Sequence, residues 1–250
     1  MQSDERRDAI LHVIRSQGPA TVAELVDRLG ISEATVRRDL LKLDDRGLLK
    51  RVHGGARPVE ARDDVYADLV DQQAGPKEAI ARAAAERIQD GQSVLLDIGT
   101  TVARVAKHLH ARPVTVITRN LAVYSELAND AQIDLVLLGG TVRPQHRSLI
   151  GFMTEENLRQ VRADVLILGT SGLRKSGHSV DTVHDEVPIK RAMIAAADQV
   201  VLLADSSKVP GTGTATVCGP EALDRLITDV MPDAETVAVL RDHAVEIVVV

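Results

Sequence analysis

Apolar and polar positions in the first 57 residues follow the repeat of about 3.6 residues that is typical of amphipathic helices. The pattern predicts three helices, over residues 4–17, 21–30 and 32–46. Thr21 and Glu24 stand three residues apart and form a capping box at the start of the second helix. Ser32 is an N-cap candidate for the third helix, and only a very short turn separates these two helices.

A short basic ribbon is predicted after the third helix. Apolar residues at Leu48, Leu49 and Val52 flank basic ones and lead into Gly54 and Gly55, which would let the tip turn with positive φ. Three helices followed by such a ribbon describe a winged helix-turn-helix. Its third helix would enter the DNA major groove N-terminus first.

Candidate DNA contacts follow from the faces of these elements. The third helix turns Val36, Leu40 and Leu43 inward, which leaves basic and hydroxyl side chains outward. Arg can fork onto a guanine edge, and Ser and Thr can reach bases or phosphates. The predicted contacts on the helix and the wing are Ser32, Thr35, Arg37, Arg38, Lys42, Arg51, His53 and Arg57. Asp39 would repel phosphates, and we interpret it as a partner for an Arg or as a cap. The alternative is a small helical bundle with a solvated Arg-rich face.

Apolar runs alternate between strand and helix patterns in the rest of the chain. We expect a linker at 58–76, with one short helix around 66–70, and a helix over 77–89. The predicted strands cover Val94–Asp97, Val114–Thr118, Asp134–Leu138, Val165–Gly169, Val200–Ala204, Val237–Leu240 and Val245–Val250. The predicted helices cover Thr101–Leu109, Leu121–Ala131, Thr154–Val161, Glu186–Ala196 and Pro220–Val230. Such alternation indicates a mainly parallel sheet with helices on both faces.

Polar residues follow five successive predicted strands, and ligands of parallel α/β folds bind at the carboxyl ends of strands. Gly99 allows a tight turn, after which backbone amides and the hydroxyls of Thr100 and Thr101 could hold a phosphate at a helix N-terminus. Asp97 and Asp205 suit sugar hydroxyls. The candidate residues at these ends are Asp97, Gly99, Thr100, Thr101, Thr118, Asn120, Gly140, Arg143, Gly169, Gly172, Asp205 and Lys208. The alternative for each is ordinary turn chemistry.

Composition narrows the class of protein. The formal net charge is −6, yet residues 1–57 carry 11 Lys and Arg against 9 Asp and Glu, while the remainder carries 19 against 27. A slightly basic head on an acidic body hints at a nucleic-acid-binding module. Aromatic residues make up 1% of the chain, which argues against base stacking on single strands.

A lone cysteine, Cys218, excludes an internal disulfide and a multi-Cys zinc site, and we expect neither a cofactor nor a metal. With no signal peptide and no apolar run of membrane-spanning length, we expect a cytoplasmic protein that does not engage the membrane.

Two stretches in the head, "SEATVRRDLLKL" and "GLLKRVHGGA", resemble the DNA-binding signature of the DeoR family of bacterial transcriptional regulators. The body resembles the effector domain of the same family through "DIGTT", "LGG", "LGTSGL", Glu186 with "IKRAM", and "LADSSK". The resemblance implies a domain similar to ribose-5-phosphate isomerase that binds a phosphorylated sugar without turnover. It adds Glu186 and Lys190 to the candidate effector residues. Arg119 and Pro188 depart from the family pattern, near the pocket.

The fold class expected is α/β, with a winged helix-turn-helix at 1–57, a linker at 58–76 and a larger, isomerase-like effector domain at 77–250. The predicted function is a DNA-binding transcriptional regulator, a repressor of a sugar-metabolism operon, and not an enzyme. Its expected partners are a double-stranded DNA operator, a phosphorylated sugar and further copies of the chain in a homodimer or homotetramer. The alternative is an active sugar-phosphate isomerase. A third alternative, a DNA-modifying enzyme, is not supported, because the sequence has no metal-binding cluster and no nucleophile pattern.

Overall fold

The computed structural model describes residues 3–45, 49–52, 54–58 and 65–250. The chain divides into two compact units, Met1–Asp64 and Val65–Val250. We describe each unit by itself.

The first unit contains the three helices and the ribbon expected from the sequence. Its elements are α1 (Ser3–Gln17), β1 (Ala20–Thr21), α2 (Val22–Leu29), α3 (Glu33–Asp45), β2 (Leu49–Val52) and β3 (Gly55–Pro58). The strands pair antiparallel in the order β1-β3-β2. The short strand β1 was not predicted, and the expected end of α3 at Arg46-Gly47 lies outside the described residues.

The helices of this unit are fixed by one apolar core and by the predicted caps. Val36, Leu40 and Leu43 are at most 1% exposed and pack with residues of α1 and α2. The Thr21 side chain accepts the Glu24 amide at 3.2 Å, and a Glu24 carboxylate oxygen accepts the Thr21 amide at 2.7 Å. Both halves of the capping box are therefore present, which satisfies two otherwise orphaned amides.

The second unit is an α/β fold around a seven-stranded sheet. Its helices are α4 (Val65–Val70), α5 (Ala74–Ala85), α6 (Thr100–Lys107), α7 (Leu121–Leu127), α8 (Phe152–Leu158), α9 (Glu186–Ala195) and α10 (Ala234–Asp242). Its strands are β4 (Ser93–Leu96), β5 (Thr115–Thr118), β6 (Asp134–Leu137), β7 (Thr141–Arg143), β8 (Ser148–Ile150), β9 (Ala163–Gly169), β10 (Gly172–Leu173), β11 (Ser179–Asp181), β12 (Ala197–Leu203), β13 (Ala215–Cys218), β14 (Arg225–Thr228) and β15 (Glu246–Val249). The large sheet has the order β15-β14-β12-β9-β4-β5-β6, and every pairing in it is parallel.

Apolar side chains cover both faces of this sheet. Val94 and Leu96 of β4 belong to one core cluster, and Leu95 between them belongs to another. Alternate residues of a strand point to opposite faces, so each face has its own layer of helices. The prediction of a mainly parallel sheet with two covered faces is confirmed.

Two predicted elements near the C-terminus are wrong in type. The expected strand Val237–Leu240 lies inside α10, because the Asp233 side chain accepts the amides of Glu235 and Thr236 and begins a helix there. The expected helix Pro220–Val230 is a 3₁₀ turn at Pro220–Ala222 followed by strand β14. β14 lies between β12 and β15, and a strand buried on both faces has no period-two signature to separate it from a buried helix.

Two small antiparallel groups of strands were not predicted. One has the order β10-β11-β13, and the other is the hairpin β7–β8, whose connection holds a 3₁₀ turn at Pro144–His146. They bring Asp181 and His146 to the carboxyl end of the large sheet, where a polar cleft opens.

Candidate functional site

The exposed face of α3 carries the predicted basic side chains of the first unit. Arg37, Arg38 and Lys42 are exposed, whereas Val36 and Leu40 are buried. At the helix start the Ser32 hydroxyl accepts the Thr35 amide at 3.3 Å and lies 2.8 Å from the Thr35 hydroxyl. Ser32 therefore caps α3, as the sequence indicates, and the cap leaves both hydroxyls near the end that would enter a groove.

Two acidic residues on α3 have different surroundings. Asp39 has a side chain only 3% exposed and accepts Nε of Arg6 at 2.5 Å, which confirms that it pairs with an Arg and ties α3 to α1. Glu33 pairs with Nη2 of Arg37 at 2.5 Å on the solvated face. Such exposed pairs contribute only about 0.3–0.5 kcal/mol, so Arg37 can exchange Glu33 for a phosphate at little cost.

The ribbon of β2 and β3 adds Arg51, which is exposed and faces Ala56 in the strand register. Gly54 at its tip has φ +81, as predicted. Gly55 is required for a different reason from the one expected: a Cβ there would lie 2.3 Å from the carbonyl oxygen of Ala20. His53 lies outside the described residues, and so does the side chain of Arg57.

A polar cleft of about 150 Å³ opens in the second unit at the carboxyl ends of the central strands. It brings together polar residues from α5, α6, α9 and the loops after β9 and β12. Among the residues predicted for effector binding, the cleft is lined by Gly99, Thr100, Thr101, Gly169, Glu186, Lys190, Asp205 and Lys208.

The start of α6 forms one wall of this cleft. Gly99, with φ +108, turns the chain from β4 into the helix. The first amides of a helix have no carbonyl partner within it, and the hydroxyls of Thr100 and Thr101 lie beside them. Backbone amides, hydroxyls and the positive end of the helix dipole together suit a phosphate.

Among the described residues, three lysines line the cleft, and they differ in how many of their N–H donors are already used within the protein. Lys190 donates to Gly169 O at 2.6 Å and pairs with Asp97 Oδ2 at 2.9 Å and Asp181 Oδ2 at 3.2 Å. Since an ammonium has three N–H donors, Lys190 has none left for a ligand. Lys208, by contrast, has no side-chain hydrogen bond or ion pair with any residue in the described ranges, and it is half-buried.

The third cation, Lys77, was missed by sequence reasoning. It is 4% exposed, and its Nζ donates to the carbonyl oxygen of Leu69 at 2.6 Å. Burial lowers its pKa, while Asp205 acts in the opposite direction. The sequence places Lys77 at the start of a helix, and a helical period does not show that a lysine is buried there.

Asp205 supplies an acceptor in the cleft lining, at the start of the 3₁₀ turn that ends at Lys208. It is 1% exposed, and its Oδ1 accepts the Ser207 amide at 3.0 Å. Its Oδ2 is buried and has no hydrogen-bond partner among the described residues. A buried acceptor left unpaired is costly, so Asp205 is suited to a hydroxyl donor of a ligand, as predicted from the sequence.

Asp97 and Arg143, which were predicted to touch the effector, instead belong to a buried ion network under the cleft. Arg119 contacts Asp97 at 2.9 Å and Glu186 at 2.7 Å, and Arg143 contacts Glu186 at 2.8 Å. Lys190 joins Asp181 to Asp97. Among the described residues the network therefore contains three cations, Arg119, Arg143 and Lys190, and three anions, Asp97, Asp181 and Glu186. Burial by itself would raise the pKa of Asp97, but Lys190 and Arg119 hold it below its usual value. Burial likewise opposes the charge of Lys190, yet Asp97 and Asp181 raise its pKa.

The remaining predicted residues form the framework of the strand ends and do not line the cleft. Thr118 donates to Leu96 O at 2.8 Å, and Asn120 caps α7 by accepting the amide of Ala122 at 2.9 Å. Gly140 lies against Thr154, and Gly172 lies against Gly211. The structure uses these four residues to build the loops and the start of α7, and it does not bring them to the cleft lining.

The sequence also missed His146 and Asp181 as lining residues. They reach the cleft through the two small groups of antiparallel strands. Burial, and then the charge of Arg143, lower the pKa of His146. Strands of two or three residues leave no periodic signal, so only the loop polarity at Thr170 and Ser171 pointed here.

A winged helix-turn-helix unit joined to a parallel α/β unit with a polar cleft defines a class, the ligand-responsive DNA-binding regulators. Residues 6–62 match the sequence model of the DeoR-like helix-turn-helix domain, and residues 72–230 match that of the DeoR C terminal sensor domain. The chain belongs to the DeoR family of transcriptional regulators.

Individual relatives agree along the whole chain. The glycerol-3-phosphate regulon repressor of Escherichia coli K12 is 33% identical, with 99% of each chain covered. The HTH-type transcriptional repressor GlcR of Bacillus subtilis is 34% identical, covering 100% of this chain and 97% of GlcR. Among solved structures, ribose 5-phosphate isomerase A of Methanocaldococcus jannaschii matches with a TM-score of 0.39 and 17% identity, over 53% of this chain and 52% of that one.

Across the described part of the chain, no helix has the length and apolar character needed to cross a membrane.

Proposed function

We propose that this protein is a transcriptional repressor whose binding to operator DNA is controlled by a phosphorylated sugar, or a related small phosphate ester, held in the cleft of the second unit. Two curated relatives that match it end to end are named as repressors, and one carries glycerol 3-phosphate in its name. We propose an effector of that chemical class for this chain.

One observation carries the effector proposal: the cleft lining combines donors and cations that suit a phosphate with a buried, unpaired acceptor that suits a hydroxyl. Amides and hydroxyls at the start of α6, together with Lys77 and Lys208, suit the phosphate. The unpaired Oδ2 of Asp205 suits a sugar hydroxyl. A free sugar would leave the cations without an anion, and inorganic phosphate would bring no sugar hydroxyl to Asp205.

The first unit supports the DNA side of the proposal. Ser32 and Thr35 lie at the start of α3, and Arg37, Arg38 and Lys42 are exposed along it. We propose that these residues, with Arg51, His53 and Arg57 of the wing, contact the operator. Helix-turn-helix proteins read paired half-sites, so we propose a homodimer or homotetramer, which light scattering on the full-length protein would test.

An isomerase is not favoured. It would need a general base free to face the substrate. Asp97 and Glu186 are engaged by Arg119, Lys190 and Arg143. Asp205 keeps a free oxygen, but the two relatives that match the chain end to end are named as repressors. Sustained turnover of pentose or hexose phosphates would reverse this conclusion.

Calorimetric titration of the full-length protein with glycerol 3-phosphate and a panel of pentose and hexose phosphates tests the effector site. We expect Lys208→Gln to weaken binding of the preferred ligand by about tenfold or more, as loss of a charge-assisted contact predicts. Lys107→Gln is the matched control, because Lys107 is exposed near the end of α6 and does not line the cleft. Equal affinities for Lys208→Gln and the wild type would place the phosphate elsewhere.

A further inference from the structure

Helix α4 is the first element described after the DNA-binding unit, and two cations of the second unit hold its end. The last carbonyls of a helix have no partner within it. Leu69 O accepts Nζ of Lys77 at 2.6 Å, and Val70 O accepts Nη2 of Arg104 at 2.9 Å. These contacts attach α4 to α5 and α6, two helices that pack together and both contribute residues to the cleft lining.

The two cations differ in their access to the cleft. Lys77 and Leu69 both line it, and Arg104 does not. Arg104 already has a carboxylate partner, Glu78, at 3.1 Å. Lys77 has no carboxylate within ion-pair distance in the part of the chain that the structure describes, so its buried charge is compensated only by a carbonyl and, from further away, by Asp205.

We propose that Lys77 is the residue that links the effector to α4: its ammonium donates to the bound phosphate and to Leu69 O at the same time, so that effector binding fixes α4 on the second unit. This inference rests on the function proposed above. An ammonium has three donors, and the contact with Leu69 occupies one of them. The other two remain for phosphate oxygens on the cleft side.

The other cleft cations cannot make this link. All three donors of Lys190 are used by Gly169, Asp97 and Asp181. Lys208 lies in the 3₁₀ turn at Ser206–Lys208, and its side chain has no hydrogen bond or ion pair with the described residues of α4. A phosphate bound by Lys208 and the α6 amides alone would leave the end of α4 as it is in the free protein.

The linkage also has a physical consequence for α4 itself. A phosphate dianion beside Lys77 supplies the compensating charge that the buried ammonium lacks, and it strengthens the ammonium as a donor to Leu69 O. α4 contains six residues, too few to be stable as an isolated helix, so its order depends on such external contacts.

Amide hydrogen exchange of the full-length protein, read on peptides covering residues 65–70, tests the proposal with glycerol 3-phosphate or whichever sugar phosphate of the panel binds. Each variant is first titrated by calorimetry and then measured at saturation. We expect saturation to slow exchange in α4 of the wild type severalfold. In Lys77→Gln the ligand should bind more weakly and leave α4 exchange unchanged at saturation. Lys77→Met, which keeps the apolar stem of the buried side chain, is measured alongside in case Lys77→Gln does not fold.

Two further variants separate linkage from affinity and from general loosening. Lys208→Gln should lose affinity but still slow α4 exchange at saturation, because its Lys77 is intact. Arg104→Gln should exchange faster without ligand and still respond to it. Unchanged α4 exchange in the saturated wild type, or a full response in both Lys77 variants, would overturn the proposal while leaving the effector site in place. If no sugar phosphate binds the wild type, the proposed function fails and this inference fails with it.

Discussion

Residues of the same type have different roles in this chain, depending on whether their side chains are already paired within the protein. Asp97 and Asp205 each follow an apolar strand, β4 and β12, and look equivalent in sequence. In the structure Asp97 is fully buried and paired with Arg119 and Lys190, whereas Asp205 keeps one oxygen without a partner among the described residues. The same residue type therefore stabilises the floor of the cleft at one position and is available to a ligand at the other.

The buried ion network predicts how stability depends on pH. The folded-state pKa of Asp97 is lowered, so its contribution is complete above the unfolded pKa of about 3.9 and is lost as the pH falls below it. Asp97→Asn should reduce the free energy of unfolding by about 3–5 kcal/mol, as expected when one partner of a buried pair is removed. It should also flatten the acid side of the pH profile measured by urea unfolding between pH 7 and pH 3.

Asp134→Asn is the control for this experiment, since Asp134 is exposed on the edge strand β6. It should leave the profile close to that of the wild type. An Asp97→Asn protein with the same acid slope as the wild type would contradict the role given to Asp97.

Substitution of Arg38 tests how much a single side chain of α3 contributes to DNA affinity. It is exposed on α3 and has no side-chain partner in the described part of the chain. Arg38→Ala should weaken binding to the protein's own upstream DNA by about 1–3 kcal/mol if it reads a base edge. Arg241→Ala changes an exposed arginine of α10 and should have little effect. An unchanged affinity for Arg38→Ala would show that α3 is not the recognition helix.

Elements were predictable where a cap or a clean period marked them. Thr21 with Glu24 defined α2, and the spacing of Val36, Leu40 and Leu43 defined the buried face of α3. The central strands β4, β5, β9 and β12 were recognised from their apolar runs. The elements around Pro220 and Val237 failed because short apolar runs carry no period, and the Asp233 cap was overlooked.

Helix α10 provides a test at the element scale. Asp233 accepts two first-turn amides, and the Thr236 backbone amide in particular lowers its pKa. Asp233→Ala should lower the urea midpoint with an unchanged m-value, because a helix cap is lost without a change in the surface exposed. The loss should shrink in acid, where the Asp233 carboxyl is protonated in the wild type. Asp242→Ala, at the other end of α10, should not lower the midpoint, since an acidic residue there opposes the helix dipole; a larger loss for Asp242→Ala would contradict the assignment.

The sequence predicted where in the fold the candidate site lies, but it identified only some of the residues that line it. The strand ends, Gly99–Thr101 and Asp205 were identified because each follows an apolar run directly. Lys77, His146 and Asp181 were missed because they reach the cleft through tertiary structure from a helix start and from very short strands. The number of acceptors around each ammonium decides that Lys190 is saturated and Lys77 is not, and those contacts cannot be read from a residue type.

At the scale of the whole molecule, charge and fold assign different partners to the two units. The chain has a net charge of −6, so it would repel DNA were its basic residues not concentrated on exposed faces of the first unit. The acidic second unit places Lys77 and Lys208 in a cleft, where they can meet a small anion. Family membership and the two proposed sites together describe a switch in which a small phosphate ester alters DNA binding.

Fluorescence anisotropy of the DNA upstream of the protein's own gene, measured with and without saturating sugar phosphate, tests this account most directly. We expect the full-length protein to bind this fragment, and the effective ligand to change the DNA dissociation constant by about fivefold or more, within the usual range of allosteric coupling. The corresponding unphosphorylated sugar should have no effect. A DNA dissociation constant that stays the same with every phosphorylated ligand that binds the cleft would contradict the account.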